Sequence, residues 1–494
     1  MNEKGPGVSF SLIQNLTPRC PLSVNRAPVF SILRRTTDGR LFVSALALIC
    51  LTSALVNNLS GAGALKDRGQ SKFEPRLQEF FAAKERHARA LAQTRESKVA
   101  PEMWDYFAAG IDGDWSTVRK LWRELSRRSG QYRGEADETV RNLVWAPLLE
   151  AELAYECFTA MDMKFVEAFG QGVIDSIPPG SIYFGGTDPG RGVITAFCKS
   201  HAQADPFFVL SQNPLADGLY LEYLRATYGG KIYVPSENDS KKAFEEYKAD
   251  AEVRMEQGQL KPGEQVSKVD GKTQLTGQVA VMSINALLAK MVFDRNPTRE
   301  FYIEESFALD WMYPYLSPHG LILKLNRKPL AAISDTDLRK DRDYWRQQTG
   351  RFLGDWLTEE TPLKSVCEFV ERVYLVGDME GFKGDPLYLT DDKSYSPRPL
   401  FGKLRQAQAS LYAWRLEHAT TPIEKTAMKR SAEFAFKQTL LLCPDSSEYV
   451  KRFVLFLKDQ KRLEDARFVL DTGLKINPGS KRLGQLAEEL NVRE

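Results

Sequence analysis

Apolar and polar positions along the chain fall into three regimes. Through 73–177 the apolar residues recur at helical spacing. Phe80, Phe81, Ala88 and Leu91 form a thin stripe on a charged, solvated helix over 73–98. Pro101 opens a helix carrying Met103, Trp104, Tyr106 and Phe107. After the turn Asp112-Gly113-Asp114 comes another, with Trp115, Val118, Leu121, Trp122 and Leu125. Two further helical runs, 140–161 and 165–177, end at Pro178-Pro179. Through 178–330 short apolar runs at 181–184, 207–210, 231–234, 300–303 and 321–325 alternate with helical runs at 190–203, 215–228 and 279–293. That alternation predicts a small parallel sheet with helices on its faces. A charge-rich helix, 240–257, and a hairpin at Asp270-Gly271 interrupt it over 238–277. From Asp335 the pattern is helical again, apart from a loop-rich patch at 377–399.

The last hundred residues repeat. Ala432, Phe434, Phe436, Leu440, Leu442, Pro444 and Ser446 recur 34 residues later as Ala466, Phe468, Leu470, Leu474, Ile476, Pro478 and Ser480. Residues 403–418 and 447–459 supply the first helices of the two units, and 481–490 a capping helix. Each hairpin leaves an apolar face that a stacked neighbour covers, which predicts a short superhelix.

Ahead of these regimes, residues 1–40 hold Lys4, Arg19, Arg26, Arg34, Arg35 and Arg40 against Glu3 and Asp38. An uncharged apolar run, 41–56, follows, and then the small-residue stretch Ala62-Gly63-Ala64. Basic region, apolar core and small-residue exit are the parts of a secretory signal, while extension to Leu59 makes the run just long enough for an uncleaved anchor. Either way, the expectation is that residues 65–494 lie outside the cytoplasm, on the periplasmic side of the inner membrane or secreted, with 41–59 as the membrane contact if uncleaved.

The predicted fold class is α/β plus α. The order is a basic leader (1–40), a signal peptide or anchor (41–64), a helical region (65–177), an α/β domain with an insertion (178–330, insertion 238–277), a helical and loop linker (335–400), and helical repeats (401–494). Composition adds little to this picture. With 67 basic and 65 acidic residues, net +2, there is no field for a nucleic-acid partner. The six cysteines form no CxxC pair and only four His are present, so no metal site is expected; the sequence identifies no particular cofactor.

Candidate chemistry centres on Gly185-Gly186-Thr187-Asp188-Pro189-Gly190-Arg191-Gly192, which links a strand to a helix. It approaches a phosphate loop, but Arg191 stands at the lysine and Gly192 at the hydroxyl position. The next strand ends Val209-Leu210-Ser211 without a magnesium-binding aspartate, which argues against an NTPase. Two readings stay open: a tight βα turn with no ligand, and an anion- or sugar-binding loop. On the second, Gly185, Gly186 and Gly190 admit close backbone approach. Thr187 and Asp188 line the loop, with Asp188 meeting hydroxyls, and Arg191 pairs an oxyanion. Gln212 and Asn213 close the next strand end. Glu304 and Glu305 lie beyond another; adjacent along a strand, they point oppositely, and Glu305 is taken as the site residue. Asp335-Thr336-Asp337 reads as a helix cap with first-turn carboxylates, and Trp311–Tyr315 as core packing.

On its 34-residue period the C-terminal part resembles tetratricopeptide-repeat proteins, which implies a protein partner. Gly185-Gly186-Thr187-Asp188, the stretch from Arg299 to Glu305 and the stretch from Tyr315 to Leu325 resemble the soluble tail of bacterial multi-spanning envelope proteins related to protein O-mannosyltransferases. That resemblance covers roughly 135–330. This chain has one apolar segment where that family has many. The two functional expectations are an exported or membrane-anchored interaction scaffold with an α/β ligand-binding or structural module, and a subunit or enzyme of envelope glycosylation acting on a sugar or sugar-phosphate.

Overall fold

The computed structural model describes residues 74–130, 136–198, 206–269, 272–304, 309–390 and 397–491. The leader and the apolar run at 41–59 lie outside them. No helix among the described residues is long and apolar enough to cross a membrane. The helices are α1 (Glu74–Arg95), α2 (Pro101–Asp112), α3 (Trp115–Arg128), α4 (Trp145–Ala160), α5 (Met163–Ile174), α6 (Asp188–Phe197), α7 (Gly218–Tyr228), α8 (Glu237–Glu256) and α9 (Gln278–Arg295). They continue as α10 (Asp335–Leu353), α11 (Leu363–Val370), the short α12 (Pro386–Leu389), α13 (Pro397–His418), α14 (Pro422–Leu442), α15 (Ser447–Asp459), α16 (Leu463–Ile476) and α17 (Lys481–Asn491). The strands are β1 (Ile182–Gly185), β2 (Phe208–Ser211), β3 (Gln265–Val269), β4 (Lys272–Thr276), β5 (Phe301–Ile303), β6 (Leu316–His319) and β7 (Ile322–Leu325). Two compact units result. One gathers the described parts of Met1–Glu152 and Ser211–Pro297, the other those of Leu153–Leu210, Thr298–Glu305 and Leu309–Glu494.

In the first unit the stripe of α1 is buried and includes a charge. Phe81 packs on Tyr106 with ring centroids 5.5 Å apart. One turn on, Lys84 is fully buried and ion-paired with the buried Glu150 of α4. Tyr223 of α7 completes the cluster, its hydroxyl donating to Glu150 at 2.9 Å. A buried ammonium persists only with its partner in place, so these three helices are locked in one arrangement. The expected solvated helix is therefore corrected: α1 is solvated on one side only.

The charge-rich helix and the hairpin form as expected, with a capping box of Ser236 and Asp239 opening α8 and an antiparallel β3–β4 hairpin after it. Its Asp270-Gly271 turn lies outside the described residues. The strand expected at 231–234 is absent. Asn296 takes its place as hydrogen-bond partner: its Oδ1 accepts from the Tyr233 amide at 2.8 Å and its Nδ2 donates to the Tyr233 carbonyl at 3.0 Å. A side-chain amide thus satisfies backbone groups that a neighbouring strand would otherwise use.

In the second unit the sheet runs β2-β1-β5-β7-β6. It is mixed rather than parallel. β1 and β5 are parallel, with Tyr183 opposite Tyr302, but β7 is antiparallel to both β5 and β6. The chain returns through a tight β6–β7 hairpin in which Gly320 takes φ +59, a left-handed conformation that suits glycine. β6 was not expected. It carries Pro318 and lies at the sheet edge, where a missing amide is tolerated. Asp335 and Asp337 sit in the first turn of α10 behind the cap Ser334, as the sequence predicts.

The C-terminal helices pair as α13 with α14 and α15 with α16, followed by α17. The first pair has 22 and 21 residues, the second only 13 and 14. Polar side chains of α13 hold the β6–β7 hairpin. Buried Gln408 donates to the Gly320 carbonyl at 2.8 Å, and Arg415 to those of Pro314 and Leu330, each at 2.8 Å. Ala432 and Ala466, equivalent in the 34-residue period, are both fully buried. Ala466→Leu is expected to overpack by about 1–3 kcal/mol. Chemical denaturation would read this as a lower midpoint, and an unchanged midpoint would break the register of the repeat.

Candidate functional site

The glycine loop lies between β1 and α6, wholly in the second unit. Thr187 is the N-cap of α6, and its hydroxyl accepts from the Gly190 amide at 3.0 Å. Beside it the parallel register brings in β5. Tyr183 pairs with Tyr302, so two residues on, just past β5, comes Glu304, on the face that Tyr183 occupies. The Glu304 amide donates to the Phe184 carbonyl at 2.9 Å, and its side chain is fully buried.

That carboxylate fills the loop. Its Oε2 accepts from the Tyr183 hydroxyl at 3.1 Å and from the amides of Gly186 at 3.3 Å and Thr187 at 3.4 Å. Its Oε1 accepts from the Thr187 hydroxyl. Successive amides at a helix start form a concavity for an anion, and here the anion belongs to the chain. The glycines follow from the same geometry. A Cβ on Gly190 would stand 1.5 Å from Glu304 Oε2. One on Gly192 would stand 2.6 Å from the backbone of Leu153 and Ala154, where α6 meets the middle of α4. Neither glycine requires an external ligand to explain it.

Electrostatics around the carboxylate agree. Burial, and then the charge of Glu304, push the Tyr183 phenol well up. Burial also pushes the Cys157 thiol up, with Asp188, Glu156 and Glu304 adding to it, so Cys157 stays protonated and is a poor nucleophile.

The nine expected site residues separate on this geometry. Gly185, Gly186, Thr187, Asp188, Gly190 and Arg191 are together, with Asp188 in the first turn of α6 and Arg191 buried. Gln212 and Asn213 belong to the first unit. There Asn285 holds their turn, its Nδ2 donating to the Asn213 carbonyl and its Oδ1 accepting from the Ala216 amide. Glu305 lies outside the described residues. The carboxylate at the loop is Glu304, which the sequence reading set aside; its parity with Tyr302 was the available signal. Among the described residues no group of three His, Cys, Asp or Glu side chains gathers as metal ligands.

A second feature lies on the C-terminal helices. A cavity of about 210 Å³ is lined by Lys364, Cys367, Glu368, Glu371, Phe468, Asp471, Thr472 and Lys475. Glu371 opens a π-helical turn, Glu371–Val376, and accepts from Thr472 at 2.9 Å and Lys475 at 2.8 Å. Phe468 is 40% exposed, whereas its repeat equivalent Phe434 is 2% exposed. Leu375 and Val376 of the π-turn are also exposed. Burial raises the Cys367 thiol to about 11, which leaves it protonated.

Compared with known proteins, the chain matches no family model, no curated protein and no solved structure. The two resemblances therefore rest on the quoted motifs alone.

Gly190→Ala is expected to drive the Glu304 carboxylate from its donors and to destabilise the chain by about 2–5 kcal/mol, from overpacking and a displaced buried acceptor. Urea denaturation checks this. A variant within experimental error of the wild type would mean the carboxylate is not seated against residue 190.

Proposed function

We propose that this chain is an interaction protein of the cell envelope, exported or membrane-anchored, whose C-terminal helices hold a protein partner. The observation that carries this reading is the contrast between Phe434 and Phe468. The same repeat position is covered in the upper hairpin and open in the lower, where it lines a cavity. An exposed aromatic side chain in a concavity rimmed by charged residues is a usual anchor of partner sites. The glycine loop favours a structural role for the α/β part, since Glu304 takes the donors that an anionic ligand would need. That weighs against the rival reading as a sugar-phosphate enzyme. The 34-residue period and the basic, apolar and small-residue succession at the N-terminus supply the rest of the proposal.

The test uses the full chain in its native cells, with a photo-crosslinking residue at position 468 and a control at Val253, exposed in the first unit. One discrete crosslinked protein at 468 and none at 253 is expected, and Phe468→Asp should weaken binding of that purified partner about tenfold or more. A reporter active only outside the cytoplasm, fused after Leu65, should be active. No crosslink at 468 would remove the docking role, and an inactive reporter would remove the envelope.

A further inference from the structure

α10 and α14 face each other across a cleft of about 420 Å³. From α10 come Leu338, Arg339 and Arg342, spaced to share one helix face. From α14 come Ala427, Arg430 and Ser431, spaced the same way. Short side chains at 427 and 431 leave the space, and three guanidiniums border it. The lining carboxylates are Asp335 and Glu359, and Glu360 and Asp343 meet the same arginines from outside the lining.

Glu359 orders two of the arginines. Its carboxylate, 11% exposed, meets Arg430 at 2.5 Å and Arg342 at 3.4 Å, bringing together heads from two helices. Its own backbone is fixed in turn, because the buried Lys437 donates to the carbonyls of Glu359 at 3.1 Å and Thr361 at 2.9 Å. Glu360, more exposed, takes a further contact from Arg430 at 3.1 Å. Arg342 is otherwise near Asp343 only at 3.7 Å, and Arg339 reaches the Thr336 hydroxyl at 3.4 Å. A guanidinium carries five N–H donors in a planar fork. With one or two acceptors each, the three forks keep N–H donors to offer across the cleft.

We propose that this cleft binds a phosphate group, with Arg339, Arg342 and Arg430 as its donors and Glu359 as the residue that positions two of them. A tetrahedral dianion accepts from several directions at once, which suits guanidiniums arriving from two helices better than a planar carboxylate does. The site is independent of the docking surface around Phe468. The phosphate can belong to a free phosphate ester or to a lipid headgroup, and the two sources separate in the test.

The full chain is titrated calorimetrically with inorganic pyrophosphate at fixed ionic strength, and sedimented with vesicles of phosphatidylglycerol or phosphatidylcholine. Saturable pyrophosphate binding that falls about tenfold or more in Arg339→Ala and in Arg430→Ala supports a free phosphate ester. Sedimentation with the anionic vesicles only, lost in the same variants, supports a headgroup. Arg339 is exposed and weakly tethered, so Arg339→Ala should keep the wild-type melting temperature and separate lost binding from lost folding. Arg342→Lys, which keeps the charge and loses the fork, should bind more weakly than wild type. The proposal is overturned if neither probe binds, if binding is unchanged in both alanine variants, or if a glutamate-rich peptide binds more tightly than pyrophosphate.

Discussion

A buried carboxylate without enough donors is costly, and the second unit is arranged around supplying them to Glu304. The end of β5 delivers the charge, and the turn after β1 delivers two amides and a hydroxyl. The phenol of Tyr183 comes from the strand itself. Because the donors belong to the start of α6, the contact also fixes where that helix begins and lets its positive end face a negative charge. Glycine at 190 then follows from the space the carboxylate occupies, and glycine at 192 from the approach of α6 to the middle of α4. A loop that reads as a ligand cradle is in this chain a joint between two strands and a helix.

The same device recurs further along. Arg405 of α13 is fully buried and meets Asp341 at 2.7 Å and Gln438 at 2.8 Å, joining α10, α13 and α14. Gln408 and Arg415, on the same helix, satisfy carbonyls around the β6–β7 hairpin. The sheet and the C-terminal helices are thus bound by charge-assisted contacts within one unit, more specific in direction than apolar packing. Two hollows stay open on these helices among the described residues, the cavity beside Phe468 and the cleft between α10 and α14.

Much of this was legible from local pattern. The strand and glycine turn at 182–187 appear where the sequence places them, with the helix starting two residues earlier than expected, and the charge-rich helix and its hairpin also form. What was not legible depends on partners distant in sequence. Apolar runs do not say which strand pairs with which, so the antiparallel β7 was read as parallel. Residues 231–234 have strand composition, but Asn296 takes up the backbone groups of Tyr233. Lys84 sits at stripe spacing between Phe81 and Ala88, yet only the position of Glu150 explains how it can be buried. Glu305 lies outside the described residues, and the pairing of Tyr183 with Tyr302 puts Glu304 on the side of the loop.

The central claim is that the loop's anion is the chain's own Glu304. Amide hydrogen exchange at Gly186 and Thr187, compared between the wild type and Glu304→Ala under conditions where both stay folded, tests it most directly. The account predicts that both amides are protected in the wild type and exchange about tenfold faster or more in the variant, while Leu323 in β7 keeps its protection. Equal protection of Gly186 and Thr187 in the two proteins would contradict it.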